Sequence, residues 1–447
     1  MRTATTADGL ADLGIGAGDK SPVLRHAPLV SLLAFVAAAA LLALRLSMIV
    51  NTPGRPDEEF WGLQDFRDAI YYPGVALLDG HNPYDPAVYT RTYPVGNLFP
   101  LYLPLTLLVH FPFALFAPQA AQILYFVVSL LMVVVLSRLT LSLCGWTAEG
   151  WAASVAAVCG VGTLLLLSRP GSQGVLIGQC ATQAVIGVYL ALRYARERPW
   201  AAGAGIALAS IKPTFGPPLM LLMLARGDRG AVLRGLGIAG VLTAATVPFV
   251  ARAAGGYAPL LASVWRNQQA LLADGPSSTA FSLFRVDVVA LFGRLLGRPP
   301  GLVPETAISV AVLGLVAVAL VLLGRSGESR RDLRPLSDTL VCLGVLLCIY
   351  HQSYDLVLVA FPTAVAVSGG LWSPRGRPGR LVRWAVAALL VLPAVNYLPT
   401  ATVEALLQPK GTVWIALASL NGLALFTALL LCTAVALRAA VAAQQKG

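Results

Sequence analysis

Long apolar runs, separated by short polar turns, follow one another along almost the whole chain. Most runs have roughly 17 to 25 residues, which is enough for an α-helix to cross a bilayer. The strands of a membrane β-barrel would instead give short segments of alternating polarity. The pattern predicts an all-α polytopic membrane protein, a bundle of about twelve transmembrane helices. Their approximate bounds are 28–50, 97–116, 119–138, 151–168, 174–194, 201–225, 230–251, 302–324, 338–350, 354–372, 382–398 and 412–437.

Two long polar and aromatic stretches interrupt this pattern, at residues 51–96 and 252–301. We expect a disordered cytoplasmic segment at 1–26, a single transmembrane domain over 27–438, and a cytoplasmic tail at 439–447. The first apolar run is too long for a cleaved signal peptide and no small-residue cleavage site follows it. It is therefore expected to remain as the first span.

Arginine-rich turns give the orientation. The turns "GRSGESRRDLR" and "PRGRPGRLVR" carry four arginines each, which places them in the cytoplasm by the positive-inside rule. The loop 51–96 has seven acids against three arginines and follows a span with a basic leading flank, so we expect it outside. Counting spans places 252–301 outside as well.

The turn "RYARERP" conflicts with this count, because counting puts it on the outer side. The stretch "IKPTFGPP" offers a solution, since each of its three prolines removes a helix donor and can divide 201–225 into two half-length helices. Dividing this run changes the number of membrane crossings by one. A second change between residues 97 and 170 is then needed to keep the count consistent, such as a shallow segment in place of a span at 97–116.

Composition supports a membrane class. The chain is 57% hydrophobic and 12% charged, with a mean hydropathy of +0.74, whereas soluble domains have about 25% charged residues. The net charge of +11 falls mainly in turns between spans, so the expected partner is the lipid bilayer and not nucleic acid. Six cysteines lie in or beside apolar runs without metal-ligand spacing, and we expect them to pack as small hydrophobes. The alanine- and arginine-rich composition is typical of a high-GC bacterium.

The first polar loop has a local helical pattern. Phe66, Ile70 and Leu77 in "FRDAIYYPGVALLDG" have near-helical spacing, which predicts a short amphipathic helix on the membrane surface. Asp65 and Asp68 lie one turn apart on its other side. The following "GHNPYDP" is rich in turn residues and is expected to fold the chain back towards these acids.

Asp65 is the strongest candidate for catalysis in this loop. The acids at 57–59 are expected to be simply solvated, as charge runs usually are. Asp65 instead lies among aromatic neighbours at the predicted membrane surface. Partial desolvation there raises a carboxylate's pKa towards values that suit a general base.

The stretch "QDFRDAIYYPGVALLDGHNPY" resembles the signature of glycosyltransferase family 87, D-F-x-x-(x)-Y followed by L-x-x-G-x-N-P-Y. Further pieces fit in the same order over about residues 28 to 372. They are "TYPVGNLFPLYLP", "IGQCATQAVIGVYLAL", "GAGIALASIKPTFGPPLMLLMLARGDR", "SSTAFSLF" and "YHQSYDLVLVAFP". The chain departs from the family pattern at Val95, where a second proline is usual, and in its short second outer loop, which lacks an appended soluble domain.

The resemblance implies a GT-C helix bundle with its active site facing outside and with Asp65 as the catalytic aspartate. Members of the family include polyprenyl-phosphate-mannose-dependent α-mannosyltransferases. The implied activity is transfer of a sugar, mannose being the best-known, from a polyprenyl-phosphate donor to a glycolipid or cell-envelope glycan. The implied location is a bacterial plasma membrane. No glycine-rich nucleotide loop is evident, and neither a cofactor nor a metal is indicated.

For a single displacement with inversion, one carboxylate takes the proton from the acceptor hydroxyl while cations stabilise the departing phosphate. Asp65 is the expected base. Retention would require a nearby carboxylate nucleophile, and Asp68 is the close candidate.

Four side chains are candidates for the donor phosphate. Lys212 stands in an apolar context before a proline, where it is costly without an anionic partner, and the alternative is that it snorkels to a headgroup. Arg266 and Arg285 lie in the second outer loop and are alternatives, unless they are simply solvated. His351 stands where one span gives way to the next, and the alternative is a structural histidine.

Four further residues are candidates for sugar or acceptor contacts. Gln179 is polar in the apolar "LIGQCATQ" and would bind sugar hydroxyls or a neighbouring helix. Asp68 is the second, and His81 and Tyr84 are expected mainly to shape the loop. His110 is expected to pack.

Two other classes of function remain open. A polytopic transporter would place ionisable groups near the midplane and show repeat symmetry, but the acids cluster in an outer loop and no repeat is visible. A lipid-linked-glycan polymerase or ligase would be expected to have an arginine-dominated outer loop. The acid-centred first loop favours glycosyl transfer with a general base.

Overall fold

The computed structural model describes residues 22–50, 62–147, 150–273, 282, 284–325, 333–372, 376–398, 403, 406 and 411–444. The protein is all-helical, with 81% of these residues in helices and no β-strand among them. An isolated antiparallel bridge joins Arg285 and Gln352. The expected fold class is confirmed to this extent.

The helices, numbered in chain order, include two 3-10 turns and one π-helical turn. Their bounds are α1 Pro22–Ile49, α2 Gln64–Phe66, the π-helical turn Arg67–Tyr71, α3 Tyr72–Leu78, α4 Pro86–Thr92, α5 Leu105–His110, the 3-10 turn Phe111–Leu115, α6 Pro118–Leu143, α7 Trp151–Leu167, α8 Arg169–Ile177, α9 Ala181–Tyr194, α10 Pro199–Ala209, α11 Gly216–Arg226, α12 Arg229–Ala253, α13 Tyr257–Ala273, α14 Val288–Leu296, α15 Leu302–Arg325, α16 Arg334–Cys348, the 3-10 turn Ser353–Val359, α17 Ala360–Val367, α18 Gly376–Val395 and α19 Thr412–Gln444.

Fewer helices are long enough to cross a membrane than the twelve expected. Within the described part of the chain, five helices have the required length and hydropathy. A sixth span results if α7 and α8, which meet at 76°, are taken as one broken span. The five are His26–Ile49, Pro118–Leu143, Arg229–Ala253, Leu302–Arg325 and Thr412–Ala442. The other predicted spans are shorter helices or pairs of helices, except 382–398, which falls on α18, a helix of 20 residues.

The breaks have local causes. The run 201–225 is divided into α10 and α11, of 11 residues each, at the proline-containing stretch that suggested a split. The run 97–116 contains only short helical segments from Leu105 onwards. The run 174–194 breaks at Gly178, whose left-handed conformation ends α8 while the Gln179 N–H bonds back to the Gly174 carbonyl.

The first loop contains helical segments, but the amphipathic surface helix predicted there is not confirmed. The chain is helical over Gln64–Phe66, Arg67–Tyr71 and Tyr72–Leu78. Phe66 and Ile70 are buried as expected, and so is Asp68, which lies on the side predicted to be polar. The middle of the segment, residues 66–74, is enclosed by protein. The buried charge of Asp68 is neutralised there by Arg67.

Glycine allows a close helix contact in the core. A Cβ on Gly187 of α9 would lie 2.5 Å from the Gly205 carbonyl oxygen and from the Ala209 nitrogen of α10. Small residues let helix backbones approach in this way inside membrane proteins. The six cysteines are free, and four of them are buried.

The predicted chain ends and loops lie only partly within the described residues. Residues 1–21 and 445–447 are outside them, but helix α1 already begins at Pro22 and helix α19 continues to Gln444. The orientation of the loops 51–96 and 252–301 relative to the membrane stays a prediction.

Candidate active site

Asp65 is held at the start of a strained helical segment. Leu63, two residues earlier, has a left-handed φ of 55°, which is unusual for a residue with a side chain. The Leu63 N–H donates to the Leu176 carbonyl at 2.7 Å and so fixes this conformation. On the other side of Asp65, the Phe66 ring stacks on Tyr125 at 4.6 Å. Such strain persists only where the surroundings impose it, and it is common at functional sites.

Gln179 contacts Asp65 directly. Its Nε2 donates a hydrogen bond of 2.7 Å to Asp65 Oδ2. Its Oε1 accepts from the Cys180 N–H at 2.9 Å and faces the Tyr102 hydroxyl at 3.4 Å. Because both of these groups are donors, the amide is oriented with its NH₂ towards the carboxylate.

Gly178 makes this contact possible. It has a φ of 71°, and a Cβ at this position would lie 2.5 Å from Phe66 Cβ. The absence of a side chain lets the end of α8 approach the residue next to Asp65. Gln179 follows immediately and is therefore presented to the carboxylate.

The environment raises the pKa of Asp65 to about 7. Removal of the carboxylate from water is the main cause, and the negative charge of Asp68 adds to it. Lys212 and the Gln179 hydrogen bond act in the opposite direction. A carboxyl group with this pKa can accept a proton near neutral pH.

Lys212 forms a buried ion pair with Asp355. Its Nζ lies 2.6 Å from Asp355 Oδ1, and it also faces the Tyr354 ring at 4.8 Å from the ring centre. His351 Nδ1 lies 3.0 Å from Asp355 Oδ2. The other ring nitrogen of His351 lies 3.2 Å from the Thr214 carbonyl oxygen. Asp355 thus joins the break between α10 and α11 to the 3-10 turn that begins at Ser353.

Arg285 reaches the same region through the backbone. It bridges to Gln352, and the neighbouring Val286 N–H donates to the His351 carbonyl at 3.0 Å. The guanidinium binds both oxygens of Asp287, at 2.9 and 2.8 Å. It also lies 5.0 Å from the centre of the Tyr350 ring. Arg285 is buried and is therefore not the solvated loop arginine of the alternative interpretation.

These groups form one electrostatic cluster. Lys212 and Asp355 are both close enough to Asp65 to alter its pKa. Arg285, Asp355 and Asp65 all influence the Tyr350 hydroxyl. The structure therefore brings together a carboxyl group of raised pKa and buried cations that come from distant parts of the chain.

Both carboxylate oxygens of Asp68 are bound by groups of the protein itself. Both carboxylate oxygens bind Arg67, at 2.6 and 3.1 Å. Oδ2 also accepts from the backbone N–H groups of Gly96 and Asn97, at 3.2 and 2.8 Å. Asp68 thus ties the first helical segment to the loop that contains Val95.

Three other candidates have partners outside the cluster. Arg266 is half exposed and pairs with Asp85 at 3.0 Å. His81 Nδ1 lies 2.9 Å from the Tyr93 hydroxyl, which donates to Asp79. Tyr84 is buried and donates to the Tyr102 carbonyl at 2.6 Å.

His81 and Tyr84 therefore shape the loop, and their sugar contacts stay predictions. His110 packs as expected, buried with Nε2 2.7 Å from Gln183 Oε1.

Sequence reasoning did not single out Asp355, Asp287 or Tyr102. Asp355 had a usable signal, since it is an isolated acid at the start of an apolar run, four residues after His351. Asp287 and Tyr102 had no comparable signal. Among the described residues, no group of three His, Cys, Asp or Glu side chains is arranged to hold a metal ion.

Together, the fold and the site define a multi-pass helical membrane protein with a buried acid–base cluster. The family model for glycosyltransferase family 87 matches residues 101–349, which is more than half of the chain, and the chain belongs to that family. The protein is accordingly a membrane glycosyltransferase. Searches of curated proteins and of solved structures gave no significant match. The matched range includes Gln179, Lys212 and Arg285 but not Asp65 or Asp355.

Proposed function

We propose that the protein transfers a sugar, with mannose as the first candidate, from a polyprenyl-phosphate donor to a glycolipid or cell-envelope glycan. The reaction takes place on the outer face of the plasma membrane, by a single displacement with inversion. Membership of the glycosyltransferase family supports the reaction class. Mannose and the polyprenyl carrier rest on the family resemblance alone.

The observation that carries the mechanism is the open oxygen of Asp65. Oδ2 binds Gln179, and Oδ1 makes no hydrogen bond to any described residue. The oxygens of Asp68 are held by Arg67 and the backbone, and those of Asp355 by Lys212, His351 and the Gln352 N–H. Asp65 is thus the carboxylate of this group with an oxygen available to an acceptor hydroxyl.

Lys212 is the proposed ligand of the donor phosphate. An ammonium group has three N–H donors, and the described residues take only one of them, through Asp355. A phosphate would bind the remaining donors while Asp355 holds the ammonium in place. The Arg285 guanidinium belongs to the same cluster but is paired with Asp287, so it is the second candidate. His351 already faces an oxygen through both ring nitrogens, which favours the role of orienting Asp355 over direct contact with the donor.

In this proposal, Asp65 accepts the proton and Lys212 binds the departing phosphate. Asp65 takes the proton of the acceptor hydroxyl as the new glycosidic bond forms, and Lys212 stabilises the negative charge that develops on the polyprenyl phosphate. Because Asp68 is engaged on both oxygens, a covalent glycosyl intermediate on that residue is not part of the proposal.

The test uses purified protein in liposomes with radiolabelled polyprenyl-phosphate mannose and membrane lipid extract as the acceptor source. Asp65→Asn is expected to lower transfer by about 10²- to 10⁴-fold, as for loss of a general base. Asp79→Asn is the matched control, because Asp79 is an exposed acid of the same loop that contacts Tyr93 and not the cluster. Full activity of Asp65→Asn would overturn the assignment.

The sugar and the stereochemistry are tested separately. Polyprenyl-phosphate glucose and arabinose are offered in competition with the mannose donor, and preferential use of either would replace mannose. The anomeric configuration of the product is determined by NMR. A configuration identical to that of the donor would overturn the single displacement.

A further inference from the structure

Two tyrosines near the proposed phosphate site have hydroxyl hydrogens that no described residue accepts. Both follow α16, Tyr350 directly before His351 and Tyr354 directly before Asp355. His351 and Asp355 belong to the buried cluster around Lys212. The same short segment of chain therefore carries the two tyrosines and two of the cluster's polar groups.

Tyr354 is buried, but its hydroxyl is not fully enclosed. The residue is 8% exposed, and its ring faces Lys212, with Nζ 4.8 Å from the ring centre. Within the described part of the chain, the hydroxyl has no hydrogen-bond partner, yet it is not one of the polar atoms shut off from solvent. Polar groups of buried residues usually have a partner. The Tyr354 hydroxyl is therefore available to a molecule that binds beside Lys212.

The Tyr350 hydroxyl is oriented by Gln352. The side-chain oxygen of Gln352 accepts from the Asp355 N–H, so its NH₂ group is the one that donates to the Tyr350 hydroxyl. The hydroxyl is the acceptor in this bond, and its own hydrogen remains available. The Arg285 guanidinium lies over the ring, 5.0 Å from its centre.

Both hydroxyls lie in the same enclosed region as the proposed base. Asp65, Asp355 and the Tyr350 hydroxyl are all close enough to alter the pKa of Tyr354. Asp65 and Asp355 likewise act on the pKa of Tyr350. Charges that shift a pKa are nearby ones, so the two tyrosines and Asp65 surround a common space.

The chemistry of this space suits a sugar. A phosphate is bound most strongly by cations, and Lys212 has donors free for it. Neutral hydroxyl groups suit the uncharged hydroxyl groups of a sugar ring. In the proposed displacement, the reacting sugar carbon lies between the phosphate at Lys212 and the acceptor hydroxyl at Asp65. The sugar ring therefore lies in the region that both tyrosines border.

We propose that Tyr350 and Tyr354 determine which sugar is used, each by donating a hydrogen bond to one hydroxyl group of the donor sugar. This inference rests on the proposed function. A site built to bind a hydroxyl group disfavours an analogue without it, because a buried polar group of the protein is then left unpaired. The two tyrosines thus select for hydroxyl groups at two positions of the ring.

The experiment compares polyprenyl-phosphate donors in proteoliposomes. The donors carry the sugar preferred in the donor competition, with mannose as the first candidate, and its forms that each lack one hydroxyl group. For the wild type, two deoxy donors are expected to have a kcat/KM about 10- to 100-fold below that of the parent donor. In Tyr354→Phe one of these penalties is expected to disappear, and in Tyr350→Phe the other. Both variants keep the aromatic rings that face Lys212 and Arg285.

Tyr189→Phe is the matched control. The Tyr189 hydroxyl donates to the Leu358 carbonyl, in the 3-10 turn that also contains Tyr354, and so supports that turn without bordering the proposed sugar site. This variant is expected to keep the wild-type ratios among the donors. A wild type that uses all deoxy donors equally well would overturn the proposal. So would an equal loss with every donor in Tyr350→Phe and Tyr354→Phe, which would mean that the hydroxyls bind phosphate or only support the fold.

Donor binding to liposomes that contain Asp65→Asn is measured in parallel, because binding requires no turnover. The same two deoxy donors are expected to bind more weakly than the parent donor. If no sugar is transferred by the wild type but this selectivity in binding persists, the proposed function fails and the sugar site stands. Equal or absent binding of all the donors would overturn the sugar site itself.

Discussion

At the scale of single residues, the charge on Asp65 depends on its hydrogen bond with Gln179. The Gln179 amide donates to Asp65 and so stabilises the charged form, which lowers the pKa from the value that burial alone would give. The net pKa is raised to about 7. A general base acts when deprotonated, so kcat/KM is expected to rise with pH through about 7.

Replacing Gln179 with leucine removes the donor and raises the pKa of Asp65 further. The rising limb of the pH profile of kcat/KM is therefore expected to move to higher pH by about one unit. Gln183→Leu is the control, because Gln183 lies one turn further along α9 and bonds to His110. That variant is expected to leave the limb in place. An unchanged limb in Gln179→Leu would show that another group controls the profile.

Variants of the Lys212–Asp355 pair distinguish an effect on stability from an effect on donor binding. Both side chains are buried, so removing one charge leaves the other without its partner. Lys212→Met and Asp355→Asn are each expected to lower the free energy of unfolding by about 3–5 kcal/mol. The double variant is expected to recover much of this loss, because no uncompensated charge remains.

Donor affinity is expected to behave differently. If Lys212 binds the phosphate, the double variant keeps a raised KM for the donor despite its recovered stability, as measured by thermal unfolding and initial rates. A double variant with a wild-type donor KM would make Lys212 a purely structural partner of Asp355.

Sequence reasoning identified Asp65, Gln179 and Lys212 separately but not Asp355. Asp65, Gln179 and Lys212 are polar residues among apolar neighbours, and that cost is visible locally. The pairings are not visible, because 114 positions separate Asp65 from Gln179 and 143 separate Lys212 from Asp355. Only the fold brings them together.

At the scale of elements, the turn between α8 and α9 determines where Gln179 lies. Gly178→Ala would add a methyl group 2.5 Å from Phe66 Cβ, in a left-handed conformation. We expect a loss of about 2–4 kcal/mol in the free energy of unfolding, from the backbone cost and the overpacking together. Transfer activity is expected to fall as well, because Phe66 cannot move without displacing Asp65.

The matched control is Gly174→Ala, on the same helix, where a Cβ would meet nothing within 4 Å. This variant is expected to keep both stability and activity. Comparable losses in the two variants would mean that α8 is simply intolerant of substitution, and that the contact between Gly178 and Phe66 is unimportant.

The apolar pattern located the helices better than it located their breaks. The prolines after Lys212 predicted the division between α10 and α11, because proline lacks the backbone N–H that a helix requires. Gly178 gave no such signal, since a glycine inside an apolar run is also compatible with a continuous helix. Its left-handed conformation depends on packing against Phe66, which the sequence does not reveal.

At the scale of the whole molecule, the orientation in the membrane is testable by cysteine labelling. Asp79 and Arg198 are exposed, the first in the loop 51–96 and the second in the turn "RYARERP". Each is replaced by cysteine. Cys144 and Cys159 are partly accessible and are replaced by serine beforehand. A membrane-impermeant maleimide is expected to label position 79 in intact cells and position 198 only after permeabilisation. The reverse pattern would place Asp65 on the cytoplasmic side.

The three helices that meet at the site, α9, α11 and α16, are shorter than a membrane span. They measure roughly 16 to 22 Å, whereas the hydrocarbon layer is about 30 Å thick. Asp65, at their common end, is therefore expected to be recessed relative to the ends of full-length spans such as α15. An acceptor carried on a lipid anchor is expected to reach such a recess more readily than a dissolved one. Competition between lipid-linked and water-soluble forms of one acceptor measures this selection, and equal use of the two forms would exclude it.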